Sequence, residues 1–275
     1  MVNDRGACLA WTLRAAALGV ALALALSSTL AAAAADYVAL PRTEFTSVLP
    51  QGPVPGAATP VTIAAFQLRV LPVSVAEFRD FVIAHPQWQR GNAPALFADA
   101  RYLVDWPAPE RIGDGAGQRP VTNVSWFAAE AFCDSEQARL PTWLEWEVAA
   151  AADETRHDAR ADPAWRRRIL GWYERPASTA LPAVGGPPNA WGVRDLHGVV
   201  WEWVDDFNAL FIAGDSRSQG DADLLKFCGA GAISIVDRDS YAVLMRIALL
   251  SSLGAADTTS SLGFRCARPL QGSRP

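Results

Sequence analysis

Cysteine and histidine are scarce in this chain, with four and three copies in 275 residues. No zinc-ligand spacing stands out among them. His85, His157 and His197 lie far apart in sequence and show no facial-triad pattern of the kind that holds iron. Neither a Ser/His/Asp order nor a phosphate-binding glycine loop rises above chance, and no internal repeat is visible. A basic stripe is also lacking. The formal net charge is −5, which argues against a nucleic-acid partner. The locally basic run "RHDARADPAWRRR" (156–168) reads as a solvated helical face.

What is present begins with a distinctive amino terminus. Arg5 and Arg14 precede the uncharged run "AAALGVALALAL" (15–26), and small residues lead to Asp36. The apolar core is short for a membrane span and has the layout of a secretory signal cut near Ala35, with an uncleaved N-terminal anchor as the alternative. The expected organisation is a signal peptide at 1–35, an extended proline-rich lead-in at 36–60, and a single domain at 61–275. The expected location is periplasmic or secreted, with no membrane partner once the leader is removed. Without residues 1–35 the formal charge becomes −6, and the remaining length is enough to bury a real core. Cys133, Cys228 and Cys266 survive that cut. In an oxidising compartment two would pair and one would be left over, and spacing alone leaves all three pairings open.

Local signals give an α+β chain poor in regular structure. "VTIAAFQLRV" (61–70) has strand composition. Ser74 and Glu77 form a capping box for a helix from about Val75 to before Pro86. Residues 88–119 read as loop. Ser125 caps a helix to about Ala138, and Thr142 with Glu145 opens another through about Ala152. "GAISIV", "YAVLMRIALL" and "LGFRCARP" read as strand-like pieces near the carboxyl terminus. Trp126, Trp143, Trp146, Trp201 and Trp203 are expected to be core rings in a fold without long amphipathic helices.

The ordered segments "LPVSVAEFRDFV" (71–82), "PVTNVSW" (120–126), "ARLPTWLEWE" (138–147), "NAWGVRDLHGVVWEW" (189–203) and "LGFRCA" (262–267) resemble the formylglycine-generating-enzyme-like, or sulfatase-modifying factor, family. The resemblance spans about residues 61–268. It implies a compact, loop-rich fold related to C-type lectins, but it does not by itself imply the activity. It also implies a disulfide between Cys133 and Cys266. The family's true formylglycine-generating enzymes oxidise a substrate cysteine with oxygen, using two cysteines that bind copper(I). Counting back from Arg246, those places fall at Asp237 and Ala242. Neither is a soft ligand, so copper–thiolate oxidation is not expected there.

Cys228, Asp237 and Arg246 are the remaining catalytic candidates. Cys228 has two readings: a buried structural thiol, or a soft ligand or redox thiol near the family's cleft, with Asp237 or Met245 beside it. Copper at Cys228 is the metal of the second reading. The resemblance further implies calcium at Asp195, Gly198 and Glu202, although Val199 replaces an asparagine ligand. The alternative is a metal-free turn held by hydrogen bonds of Asp195. Asp205 and Asp206 are read as solvated acids ahead of a catalytic pair. Arg246 and Arg265 are expected to satisfy buried carboxylates or carbonyls.

Two function classes follow from the resemblance. One is an exported accessory or maturation factor acting on a protein or peptide client, in some relatives beside copper enzymes such as nitrite reductase. The other is a non-catalytic lectin-like module binding a glycan or protein through loops 88–119 and 208–224. A third, a rebuilt oxidase, would need metal ligands that the histidines do not supply.

Overall fold

The structure, a computed structural model, describes residues 36–49, 59–174, 180–210 and 241–270. Strands β1 (Tyr37–Leu40), β2 (Thr43–Phe45), β3 (Val61–Ile63) and β4 (Phe66–Arg69) open it. In β4, Phe66 and Leu68 alternate into the core. β4 is the centre of a three-stranded antiparallel sheet, with β1 on one side and β7 (Ala267–Pro269) on the other. Tyr37 lies opposite Arg69, and Leu40 opposite Phe66. β2 and β3 form a separate antiparallel pair. The expected lead-in at 36–60 is therefore partly sheet: its first strand takes up an edge of β4 that would otherwise be open.

Helix α1 (Val75–Ala84) starts where Ser74 and Glu77 cap each other reciprocally. Pro86 follows its end, where a proline cannot continue the hydrogen-bond ladder. α2 (Trp126–Ser135) begins with Ser125 Oγ accepting the Ala128 amide at 3.1 Å. α3 (Trp143–Ala150) has a second capping box on Thr142 and Glu145. α4 (Pro163–Tyr173) is capped by Asp162 and carries Arg166, Arg167 and Arg168 of the basic run, whose first half precedes it. α2 and α3 both end a few residues before the sequence suggests, because the chain turns at Glu136 and Ala151.

One element differs in kind. "YAVLMRIALL" lies in α5 (Tyr241–Ser251), not in a strand. Its aliphatic composition suits either state. The spacing decides it, since Arg246, Ile247 and Leu250 are buried while Met245 faces outward. "LGFRCARP" does supply strands, β6 (Leu262–Gly263) and β7, and β6 pairs in parallel with β5 (Trp201–Glu202). "GAISIV" lies outside the described residues.

A single large hydrophobic cluster includes Phe66, Phe78, Phe132, Trp143, Trp146, Trp203 and Phe264. Phe78 stacks on Phe132 at 5.8 Å, and Phe264 meets both rings edge-on. Cys133 of α2 is joined to Cys266 beside β7, with Cα atoms 5.5 Å apart. Among the described residues no helix is long and apolar enough to cross a membrane.

Candidate functional site

Glu202 of β5 and Arg265 are both 0% exposed. A buried carboxylate is tolerated only when paired and hydrogen-bonded. Arg265 Nε and Nη2 reach the two Glu202 oxygens at 2.8 Å each, and Trp146 Nε1 donates to Oε2 at 2.8 Å. The other guanidinium protons go to the carbonyls of Arg69, Val70 and Arg194. This one side chain thereby ties β4, the 194 turn and β5 together. Arg246 of α5 lies 3.5 Å over the Trp146 ring and donates to the Glu202 carbonyl.

Arg246 also lines a cleft of about 730 Å³. Trp106, Trp172 and Trp201 contribute to its walls, with Asp105, Asn123 and Arg246 among its polar groups. The segment "PVTNVSW" forms part of the floor. Asn123 adopts φ 53°, donates from its side chain to Asp105 at 2.5 Å, and bonds Thr259 through its amide. Few residues other than asparagine accept that left-handed backbone. A second cleft of about 260 Å³ adjoins the first, sharing Trp172, Leu196, Gly198 and Val199. Gly198 has φ +83°, and a Cβ there would lie 2.6 Å from the Trp172 ring. Glycine is thus required both by backbone and by contact.

His197 is enclosed beside the smaller cleft by Trp146, Trp165 and Trp172, with ring centroids 5.6–5.8 Å away. Its Nε2 meets the Ala150 carbonyl at 2.7 Å. Burial pushes its pKa down to about 4, so the ring is neutral near pH 7. His157 instead stacks on Trp191 at 3.7 Å, and His85 on Phe81 at 4.7 Å. The three histidines serve three separate packing sites.

Both carboxylates that the resemblance associates with calcium have protein hydrogen-bond donors in this structure. Glu202 already meets three N–H donors, two of them from a buried cation. Asp195 Oδ2 and Oδ1 accept the amides of Gly185 and Gly186 at 2.6 and 3.0 Å. Gly198 adjoins Trp172, as described. Among the described residues no three His, Cys, Asp or Glu side chains gather as metal ligands would. Ala242 packs with Trp172 against the cluster of Ala159, Trp165 and Ile169. Cys228 and Asp237 lie outside the described residues. Met245 is 41% exposed, pointing away from the core that holds Arg246.

Asp206 binds the Trp143 amide at 2.7 Å at the start of α3, and burial raises its pKa. Asp205 is exposed. Trp143, Trp146 and Trp203 are core rings, whereas Trp126 and Trp201 are only partly buried and Trp201 faces the larger cleft. Trp106 and Trp172 were not legible as cleft walls, because their surroundings in sequence carry no periodic pattern. The tryptophan count is the one signal that pointed toward them.

The fold and site define a loop-rich α+β module with two adjoining clefts and a buried Glu–Arg–Trp hub. The sequence pattern described as "Sulfatase-modifying factor enzyme 1-like domain" matches residues 27–270, and the chain belongs to this formylglycine-generating-enzyme-like family. The hercynine oxygenase of Mycolicibacterium smegmatis is 31% identical over 169 residues, 52% of this chain and 38% of that protein. The formylglycine-generating enzyme of Streptomyces coelicolor is 33% identical over 184 residues, 59% of this chain and 57% of that one. The match therefore spans less than two thirds of either of those relatives. The protein named inactive C-alpha-formylglycine-generating enzyme 2 of Mus musculus is 27% identical over 255 residues, 77% of this chain and 78% of that protein. Among solved structures, PvdO from Pseudomonas aeruginosa aligns with TM-score 0.46 and 21% identity, covering 85% of this chain and 94% of that one.

Proposed function

We propose that this protein is an exported accessory factor that acts with another exported enzyme, without copper–thiolate oxidation of cysteine. The observation that carries this reading is the position of Ala242, where the family's chemistry needs a thiolate. Its methyl group is packed with Trp172 against Trp165 and Ile169. The other place is Asp237, a hard oxygen donor in sequence. A relative named as an inactive enzyme aligns over most of the chain, and this supports the same reading. The cleft of about 730 Å³ is large enough for a peptide segment or small ligand. Copper enzymes are the client class that the resemblance suggests.

The test is export followed by capture. Full-length protein with a carboxyl-terminal tag, expressed in an exporting host, should be recovered outside the cytoplasm with a new amino terminus near Asp36. Photo-crosslinking in that compartment should return one exported enzyme reproducibly. An unprocessed cytoplasmic product, or crosslinks to itself alone, would overturn the reading.

A second reading has its own support. Trp106, Trp172 and Trp201 beside Asp105 and Asn123 give the cleft aromatic platforms next to hydrogen-bonding groups, the composition that suits a sugar ring. Saturable quenching of tryptophan fluorescence by one member of a glycan panel would favour this binding module.

A further inference from the structure

α2 turns Ala128, Ala129, Phe132 and Cys133 inward. The opposite face carries Phe127, Glu130, Ala131 and Asp134, which follow the three- and four-residue spacing of one helix side. Phe127 does not stand alone there. Phe97 meets it edge-on at 5.1 Å, and Trp126 at 5.5 Å. Leu96, next to Phe97, is 75% exposed, the most exposed large apolar side chain among the described residues. The loop that carries both is held firmly, since Phe97 and Ala98 bond back to Pro94 and Asp99 accepts from Thr258 at 2.6 Å. A fixed loop that displays leucine and phenylalanine beside a helix is unlike a scattered apolar residue.

The charge next to this strip is equally uneven. Arginine holds a carboxylate at Glu77, Glu136, Glu145, Glu147, Asp153 and Glu202. Glu130, Asp134 and Asp205 have no such ion pair among the described residues. Glu130 and Asp134 are one helical turn apart on this face, and burial, then Asp134, then Asp205 raise the pKa of Glu130. Arg139 feels Asp205, but both of its terminal nitrogens already hold Glu145 at 2.6 Å.

We infer that the outer face of α2, with the loop at Leu96 and Phe97, docks a cationic and apolar polypeptide segment of a partner protein. Lysine or arginine on that segment would relieve the repulsion among Glu130, Asp134 and Asp205, while its apolar side chains cover Leu96, Phe97 and Phe127. The sign of the charge rules against an anionic membrane or a nucleic acid as occupant. The inference rests on the proposed action with a client and adds where that client touches.

The probe is a fluorescein-labelled amphipathic peptide with leucines on one face and lysines on the other, titrated against the exported full chain by anisotropy. It should bind, more weakly as salt rises. Glu130→Gln with Asp134→Asn should weaken binding about tenfold and flatten the salt dependence, and Leu96→Ser with Phe97→Ser should weaken it by about as much. Asp80→Asn, on the exposed side of α1 and outside both clefts, should change nothing. Equal binding of a peptide with glutamate in place of lysine, or variants all within about twofold of the parent, would overturn the inference. A photoreactive residue placed at Leu96 and, separately, at Thr122 in the cleft separates the two claims. A client captured at Thr122 but never at Leu96 leaves the accessory reading standing and removes this surface.

Discussion

Glu202 shows how much one side chain can fix. Its carboxylate joins α3 through Trp146 and the carboxyl-terminal strands through Arg265, and its carbonyl holds Arg246 of α5. Glu202→Gln keeps the shape but leaves the Arg265 cation buried without its counter-charge. It should destabilise the protein by about 3–5 kcal/mol in denaturant unfolding. Calcium chelation should leave the midpoint unchanged, because the Glu202 oxygens already have protein donors; a clear loss on chelation would contradict that geometry. His197 makes a prediction about pH. Its folded pKa, about 4, lies below the unfolded value near 6.5, so the unfolded chain takes up the proton first. The corresponding stability is present above pH about 6.5 and disappears toward pH 4, about 3 kcal/mol in all. His197→Gln should remove that slope between pH about 7 and 4 when unfolding midpoints are compared with the parent. Glu147 works in the opposite sense. Burial raises its pKa, so its own contribution is present at low pH and is lost as pH rises through the folded value.

Among the elements, those with local punctuation were legible. Ser74 with Glu77 and Thr142 with Glu145 announced α1 and α3, and the structure contains both reciprocal caps. α5 was misread because an apolar run states burial without stating period. Only the pattern of Arg246, Ile247 and Leu250 facing inward distinguishes helix from strand. β1 and β2 were missed for a different reason. Three or four residues in a proline-rich lead-in carry no two-residue periodicity of their own and are fixed by β4 and β3. The turn between β4 and β5 in space, at 195–198, depends on a glycine. Gly198→Ala should cost about 1–3 kcal/mol, since the methyl group would meet the Trp172 ring and the backbone is left-handed. A lowered midpoint in denaturant unfolding is the result expected; an unchanged midpoint would contradict the contact.

At the scale of the whole molecule, the ends of the described domain are drawn together. β1 and β7 flank β4, and Cys133–Cys266 closes a loop of 133 residues across it. Replacing both cysteines with serine should cost about 2–5 kcal/mol, read as a lowered unfolding midpoint that reductant no longer shifts. The family could be read from motif order because its segments are the caps, turns and hub residues that the fold requires. The clefts could not, since their walls come from Trp106 in a loop, Trp172 in α4 and Trp201 in β5. That separation also explains why the family does not dictate the chemistry. The hub is maintained, while the resemblance places Ala242 where the formylglycine-generating enzymes would have a thiolate. The most direct test is to supply the exported protein with copper(I), oxygen and a cysteine-containing peptide, and to follow aldehyde formation by mass spectrometry. No aldehyde above the protein-free control is the result expected. Catalytic turnover of the peptide would contradict the account.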